Sequence, residues 1–300
     1  MVSSSFRIQP FSILRPNSQS WRARRKEWES EGVIDTSGRE DALSHYFQPL
    51  SSSCDEEYLS VFDPVLAECA YRWFCKDGGD VLDPFCGGAT RGFVAASLGM
   101  GYTGVDIRQK QIDANIVQCK KLVNTPIYIC ADSYDKVCEL GMFDLIFSCP
   151  PYYNLEVYSN DPCDLSNMPT YNDFLKKYKM IIKECCNHLR IGGFAVFVVG
   201  EIRDDRGYCR GFVNDTINAF RDSGMRLWNE IIIDQPNQGA FARLGMFNKT
   251  RKTVKIHQNM LVFAKDVNEK GKIERQIGRF VGRNAADKER LMKAYAMMKK

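Results

Sequence analysis

Along this 300-residue chain the spacing of apolar positions switches back and forth between two patterns. Short apolar runs at 80–85 (DVLDPF), 101–107 (GYTGVDI), 127–132 (IYICAD), 143–148 (FDLIFS) and 194–202 (FAVFVVGEI) predict buried strands. Between and around them, residues 65–75, 90–99, 109–123, 171–189 and 212–224 place apolar side chains three or four apart, which predicts amphipathic helices. Asp63-Pro64 opens the first helix, and Gly78-Gly79, Gly99 and Gly192-Gly193 close helices. Two more strands, 226–234 and 257–265, follow, joined by a long loop. Strands apolar on both faces and alternating with helices predict a doubly wound, mostly parallel α/β sheet covered on both sides. No internal repeat interrupts the pattern.

The flanks read differently. Residues 1–57 hold short apolar pieces broken by Pro and Ser, a basic helix near 20–31 and a linker at 50–54 (LSSSC), and so predict a basic N-terminal extension. The main domain is expected over 58–266, with a basic, helical C-terminal tail at 267–300.

Composition changes the picture little. Hydrophobic residues make up 44% and charged residues 26%, as in ordinary soluble domains. No run approaches the ~20 apolar residues of a membrane span, and the start lacks a basic segment followed by an apolar core, so a cytoplasmic protein is expected. Twelve cysteines are scattered with no C-x-x-C pair, which predicts reduced, mostly core-filling thiols and no zinc site. His45, His188 and His257 lack metal-ligand spacing; His188 fits a helix cap and His257 a structural place at the start of the last strand.

Charge matters through its distribution. The net charge is only +4, but residues 267–300 carry ten Lys or Arg against four Asp or Glu. SWRARRKEW (20–28) is a second basic cluster, and loop 243–255 a third, with Arg243, Lys249, Arg251, Lys252 and Lys255 and no acid. Three such clusters beside a neutral core point to a polyanionic partner.

Candidate chemistry gathers at the strand ends. VLDPFCGGATRG (81–92) is a strand, a glycine turn and a helix start; Gly87 and Gly88 let the backbone approach a ligand, and the helix N-terminus offers free N–H groups. It matches neither G-x-G-x-x-G nor a phosphate loop. Asp83 stands where it would meet a cation, Asp106 where it would take ribose hydroxyls, and Asp132 where it would meet an adenine amine, all along the carboxyl edge of the sheet. A ligand with an ammonium end, a ribose and an adenine suits that layout: S-adenosylmethionine.

On these residues the chain resembles the class I, Rossmann-like methyltransferases. DPFCGG looks like the D-P-F-x-G-x-G motif of amino-group DNA methyltransferases, which act on adenine N6 or cytosine N4. Cys149-Pro150-Pro151-Tyr152, after the fourth strand, looks like their [DNS]-P-P-[YFW] motif. Phe62-Asp63-Pro64 and the next helix are similar to the segment that closes over the methionine end. The likeness covers roughly 60–266, and PFSILRPNSQSWRARRKEW with GRED adds a weaker one to small phage-encoded DNA methyltransferases. The resemblance implies that Asp83, Phe85, Gly87, Gly88, Thr90, Asp106, Ile107, Asp132, Ser133 and Phe62 line the cofactor site. It implies that Ser148, Cys149, Pro150, Pro151 and Tyr152 carry catalysis on a base flipped out of double-stranded DNA.

The proline motif has a physical rationale. An exocyclic amine is a poor nucleophile because its lone pair is delocalised, so acceptors must take its hydrogens. Pro150 offers a carbonyl without a competing N–H, and Tyr152 a ring to stack on the base. The chain departs from the family at Cys149, whose sulfur accepts weakly. Either Ser148 takes that role, or Pro150 carries most of it, or the substrate is unusual. Cys149 as a nucleophile fits less well, because C5-methylating enzymes resemble a Pro-Cys order. Target contacts are expected from the segment 154–172, the loop 234–256 and the basic ends, with Tyr153, Tyr158 and Arg243 as candidates; Glu201 fits either the cleft or the surface. Two other readings stay open: an RNA or tRNA base N-methyltransferase, and an inactive methyltransferase fold kept as a DNA-binding module.

Overall fold

In a computed structural model, the structure describes residues 6–33, 43–44, 61–157, 159, 161–235, 240–241 and 243–265. The linker at 50–54, the C-terminal tail and Tyr158 lie outside the described residues.

The strands are β1 (Ile13–Leu14), β2 (Leu43–Ser44), β3 (Asp80–Asp83), β4 (Gly101–Asp106), β5 (Ile127–Cys130), β6 (Phe143–Ser148), β7 (Glu156–Val157), β8 (Leu189–Val199), β9 (Met225–Asp234) and β10 (His257–Lys265). The helices are α1 (Gln19–Ser30), α2 (Pro64–Phe74), α3 (Thr90–Ser97), α4 (Gln109–Cys119), α5 (Ser133–Val137), α6 (Tyr171–Asn187), α7 (Phe212–Asp222) and the short α8 (Phe247–Thr250). The main sheet runs β1-β9-β10-β8-β6-β3-β4-β5. Its pairs are parallel except around β10, which is antiparallel to both β8 and β9. β2 and β7 form a separate two-stranded ribbon.

Alternate residues of each central strand face opposite ways and divide between two cores. Val81, Leu145, Phe147, Val196, Val198, Met260 and Val262 join one core with α1, α2, α3 and α4. Leu82, Ile146, Ala195, Phe197, Leu261 and Phe263 join the other with α5, α6 and α7. The doubly wound α/β architecture expected from the sequence is what the chain adopts.

The topology also fixes where a ligand can sit. After β3 the chain winds outward through β4 and β5, then returns to place β6 and β8 on the other side of β3. The order therefore reverses between β3 and β6, and the loops leaving those strands diverge there; open α/β sheets bind ligands at such a point.

The basic cluster at 20–28 is only in part the free surface that the charge pattern suggested. Trp21 and Trp28 are buried, and α1 is locked to α2 through Glu68, which has no exposed surface. Glu68 accepts from Arg24 (2.5 and 2.7 Å), from the Trp28 indole (2.9 Å) and from Arg72 (2.7 Å). Arg24 of this amphipathic helix, with Arg72 of α2, neutralises a buried acid, while Arg22 and Lys26 stay exposed. β8 begins at Leu189, five residues earlier than expected: Leu189 already pairs with Phe143 of β6, and the register then shifts before Phe194 pairs with Leu145, across a stretch in which Gly192 takes φ +80°.

Six of the eleven described cysteines (Cys69, Cys75, Cys86, Cys119, Cys185 and Cys186) are buried, whereas Cys130, Cys138, Cys163 and Cys209 are exposed. Burial pushes the Cys75 and Cys186 thiols up to about 12, which keeps them protonated and inert. Among the described residues no helix is long and apolar enough to cross a membrane, and no three His, Cys, Asp or Glu are grouped to hold a metal ion.

Candidate functional site

The glycine turn leaves β3 at the switch point. Gly87 adopts φ +47°, and a side chain added there would project into open space, so the turn presents bare backbone. Gly88 is buried and Thr90 begins α3 with almost no exposure. Asp106, ending β4, curls back to the turn: one oxygen accepts from the Gly87 N–H (3.0 Å) and the other from the Arg108 N–H (2.9 Å). Burial raises the pKa of this carboxyl, only partly opposed by Arg108 and the two N–H groups. Ile107 follows, part-exposed, with its carbonyl accepting from the Cys130 thiol.

Asp83 departs from its expected role. It has no exposed surface, and protein groups take both of its oxygens. Arg91 Nε (2.5 Å) and the Tyr102 hydroxyl (2.7 Å) donate to one; the Ser148 hydroxyl (2.6 Å) and the Phe85 N–H (3.2 Å) donate to the other. Asp83 therefore neutralises Arg91 behind the turn and does not reach an ammonium group. Burial disfavours the charge on Arg91, but Asp83 outweighs it and holds the guanidinium above its ordinary pKa. Arg91 also donates to the carbonyls of Phe85 (2.7 Å) and Cys86 (3.0 Å), and lies 4.7 Å over the Phe62 ring. One arginine thus joins the glycine turn to the Phe62-Asp63-Pro64 segment. Sequence reasoning missed it, although a lone charge in the otherwise apolar TRGFVAAS helix was the available signal.

Ser148 is corrected by the same network. It is buried and donates inward to Asp83, so it is no acceptor for an incoming amine. Its bond instead pins the end of β6 to the end of β3. Cys149 and Tyr152 are half-buried, with Sγ and the phenol oxygen 3.8 Å apart. Pro150 is buried and Pro151 half-buried; among the described residues no backbone N–H donates to the Pro150 carbonyl. Gln258 donates to the Tyr152 hydroxyl (3.0 Å), and the Tyr152 ring meets Phe212 edge-on at 5.8 Å.

Tyr153 is an anchor rather than a surface contact. It is 7% exposed, takes φ +53° and packs against Tyr171 and Phe174, both at 5.7 Å. A bulky residue at positive φ is strained, and a tightly packed surround is what holds it there. Tyr171, Phe174 and Tyr178 line one face of α6, forming with Phe212 an aromatic shelf under the elbow. Phe85 joins this shelf, 6.2 Å from Tyr178.

The third acid is also largely engaged. Asp132 caps α5 through the Tyr134 N–H (2.9 Å) and pairs with Lys177 (2.5 Å). Ser133 is buried and donates to the Pro84 carbonyl, tying the β5 loop to the glycine turn. Lys177 also donates to the Cys163 carbonyl (2.9 Å), so the loop around Asp161–Asp164 lies over the β4 and β5 ends. Asp164 is near enough to Asp106 to add to the rise in its pKa. Glu201, part-exposed, accepts from the Gly211 (2.9 Å) and Phe212 (3.2 Å) N–H groups at the start of α7. Arg243 sits half-buried where the 244–246 turn begins. As expected, His188 caps α6, its ring reaching the Gly141 carbonyl at 3.1 Å.

Fold and site define a doubly wound α/β protein in which the glycine turn and the proline elbow leave adjacent parallel strands at the switch point. No family model and no curated protein matches the chain. Among solved structures it is similar to TrmN from Thermus thermophilus (16% identity, TM-score 0.47, 68% of this chain and 49% of that one), so the chain spans about half the length of that protein. It is also similar to the [4+2]-cyclase SpnF (14%, TM-score 0.49, 69% and 82%). A third likeness is to the magnesium protoporphyrin IX methyltransferase ChlM from Synechocystis PCC 6803 with bound SAM (14%, TM-score 0.40, 67% and 74%).

Proposed function

We propose that this protein is an S-adenosylmethionine-dependent methyltransferase that acts on an exocyclic amine of a DNA base, adenine N6 or cytosine N4. The observation that carries the reading is the pairing of two loops: the glycine turn and the Cys-Pro-Pro-Tyr elbow leave adjacent parallel strands, pinned by the Ser148–Asp83 hydrogen bond of 2.6 Å. A donor held on one loop and an acceptor held on the other meet at a fixed place, and positioning is the main requirement of a direct methyl transfer.

The residues present fit the cofactor's nucleoside end. Gly87 offers open backbone, and Asp106, anchored by two N–H groups, keeps acceptor capacity for ribose hydroxyls. Phe85 and Gly88 stand on the same turn, Ile107 follows β4 and Asp132 follows β5. Asp83, Ser133 and Thr90 act from behind, as supports of the turn. When bound, S-adenosylmethionine supplies an electrophilic methyl group.

The chain's own residues do the rest. The Pro150 carbonyl accepts a hydrogen of the target amine and draws the nitrogen towards tetrahedral geometry. Tyr152, steadied by Gln258, stacks on the base. Cys149 is too weak an acceptor to replace the usual amide or carboxylate, so Pro150 carries most of the polarisation.

DNA is supported by the loop between β9 and β10. Phe241, Leu244 and Met246 are 57–67% exposed there, beside Lys249, Arg251 and Lys252. Exposed apolar side chains among cations suit a segment that wedges into a base stack while touching phosphates. The test is incubation with S-adenosylmethionine and DNA, followed by mass analysis of the nucleosides. N6-methyladenosine or N4-methylcytidine in the deoxy series is the expected product. Methyl groups on RNA alone, or on neither polymer, contradict the reading.

A further inference from the structure

Beside the elbow, the chain leaving β8 folds into a small hairpin. The Arg210 N–H donates to the Ile202 carbonyl (2.9 Å), and Arg203 bridges Cys209. This places the Arg210 guanidinium over two rings of the aromatic shelf, 5.3 Å from the centre of Tyr153 and 5.0 Å from that of Tyr171. Among the described residues the Arg210 Nε is buried without a hydrogen-bond acceptor, and the structure shows no ion pair to its guanidinium. Two acids stand near, each holding another group through one oxygen: Glu201 the start of α7, and Asp215 the Tyr171 hydroxyl (2.7 Å). Further cations converge on the hairpin. Lys255 donates to the Glu201 carbonyl (3.3 Å), and Lys252 lies where a side chain on Gly207 would stand.

A guanidinium held within 5.0–5.3 Å of two ring centres, with no ion pair among the described residues, is preorganised for an oxyanion. Tyr153, on which Arg210 rests, directly follows in sequence the residue proposed to stack on the target base. We propose that Arg210, with Lys255 beside it, forms a phosphate subsite that grips the nucleic-acid backbone next to the extruded nucleotide. This deepens the reading of the previous subsection and rests on it for the identity of the neighbouring base.

The test is binding of fluorescent single-stranded DNA and RNA oligonucleotides, followed by anisotropy across a series of salt concentrations. It is independent of methyl transfer. Arg210→Gln is expected to weaken binding about tenfold and to lower the slope of log affinity against log salt by about 0.7, the loss of one phosphate contact on a single strand. Arg210→Lys keeps the charge and is expected to preserve the slope while losing affinity, because a point charge lacks the planar fork. If Arg210 only props up Tyr153, both variants lower thermal stability alike and leave the slope untouched, which overturns the proposal. Equal affinity of Arg210→Gln and the unaltered chain for both polymers also overturns it. A failure of the unaltered chain to bind S-adenosylmethionine in a separate titration strikes the methyltransferase reading alone, since the anisotropy series still reports on the phosphate grip.

Discussion

Replacing Asp83 by alanine removes the centre of a buried network. The ion pair with Arg91 is sealed, with side-chain exposures of 6% for Arg91 and 0% for Asp83. Removing one partner of such a pair leaves an uncompensated buried charge and costs about 3–5 kcal/mol. The Tyr102 and Ser148 hydroxyls lose their acceptor as well, at about 1–3 kcal/mol for each group left unsatisfied. Relaxation and water entry make these terms overlap, so a loss of about 4–6 kcal/mol is expected, a large share of the ~5–15 kcal/mol that holds an ordinary domain folded. Urea denaturation followed by far-ultraviolet circular dichroism measures it. Asp83→Asn, which retains an acceptor for one hydroxyl, should lose less than Asp83→Ala. Arg91→Met combined with Asp83→Leu should recover much of the loss, because an apolar pair of similar volume leaves no charge stranded. A loss below about 1 kcal/mol for Asp83→Ala, or additive effects in the double variant, would refute the assignment of Asp83 to structure.

Three further outcomes are expected. Tyr152→Ala should lower turnover by roughly 5- to 150-fold, the worth of one base–aromatic stack of ~1–3 kcal/mol, while cofactor affinity measured by calorimetry stays within about twofold. Cofactor affinity should fall on acidification at a higher pH than a free aspartate titrates, because ribose recognition needs the Asp106 carboxylate and burial raises its pKa; Asp106→Asn should flatten that profile. In stability the same shift has the opposite sign: the folded chain holds its proton to higher pH than the unfolded chain, so Asp106 costs stability as pH rises through that window. Glu68→Ala should release α1, with a loss of about 3–5 kcal/mol and faster amide exchange across residues 19–30.

Most of the architecture was legible because it depends on periodicity. The runs at 143–148 and 194–202 admit few readings other than a buried strand, and their burial on both faces dictates a covered parallel sheet. Short features escaped for the complementary reason: two-residue strands such as β1 and β7 carry too few positions to show a period. At the site, chain order disclosed which loops gather at the sheet edge but not which way each polar group turns. Asp83, Ser148 and Tyr153 stand beside the cleft in sequence, yet each points inward because a distant partner claims it: Arg91 for the acid, the acid for the hydroxyl, the α6 shelf for the ring. Arg24 in the basic cluster was misread in the same way, since Glu68, its partner, lies 44 residues on. Arg210, isolated in a polar stretch, gave no signal until the fold laid it on two tyrosines.

The proposed cradling of a methyl donor by the glycine turn is tested most directly by calorimetric titration of S-adenosylmethionine into the protein and its Gly87→Val variant. At φ +47°, with open space where a side chain would project, valine strains the turn and fills the cradle. One saturable site in the unaltered protein, weakened at least tenfold in a variant whose circular dichroism shows an intact fold, is the result predicted. No saturable heat in the unaltered protein, or the same affinity in both, would contradict it.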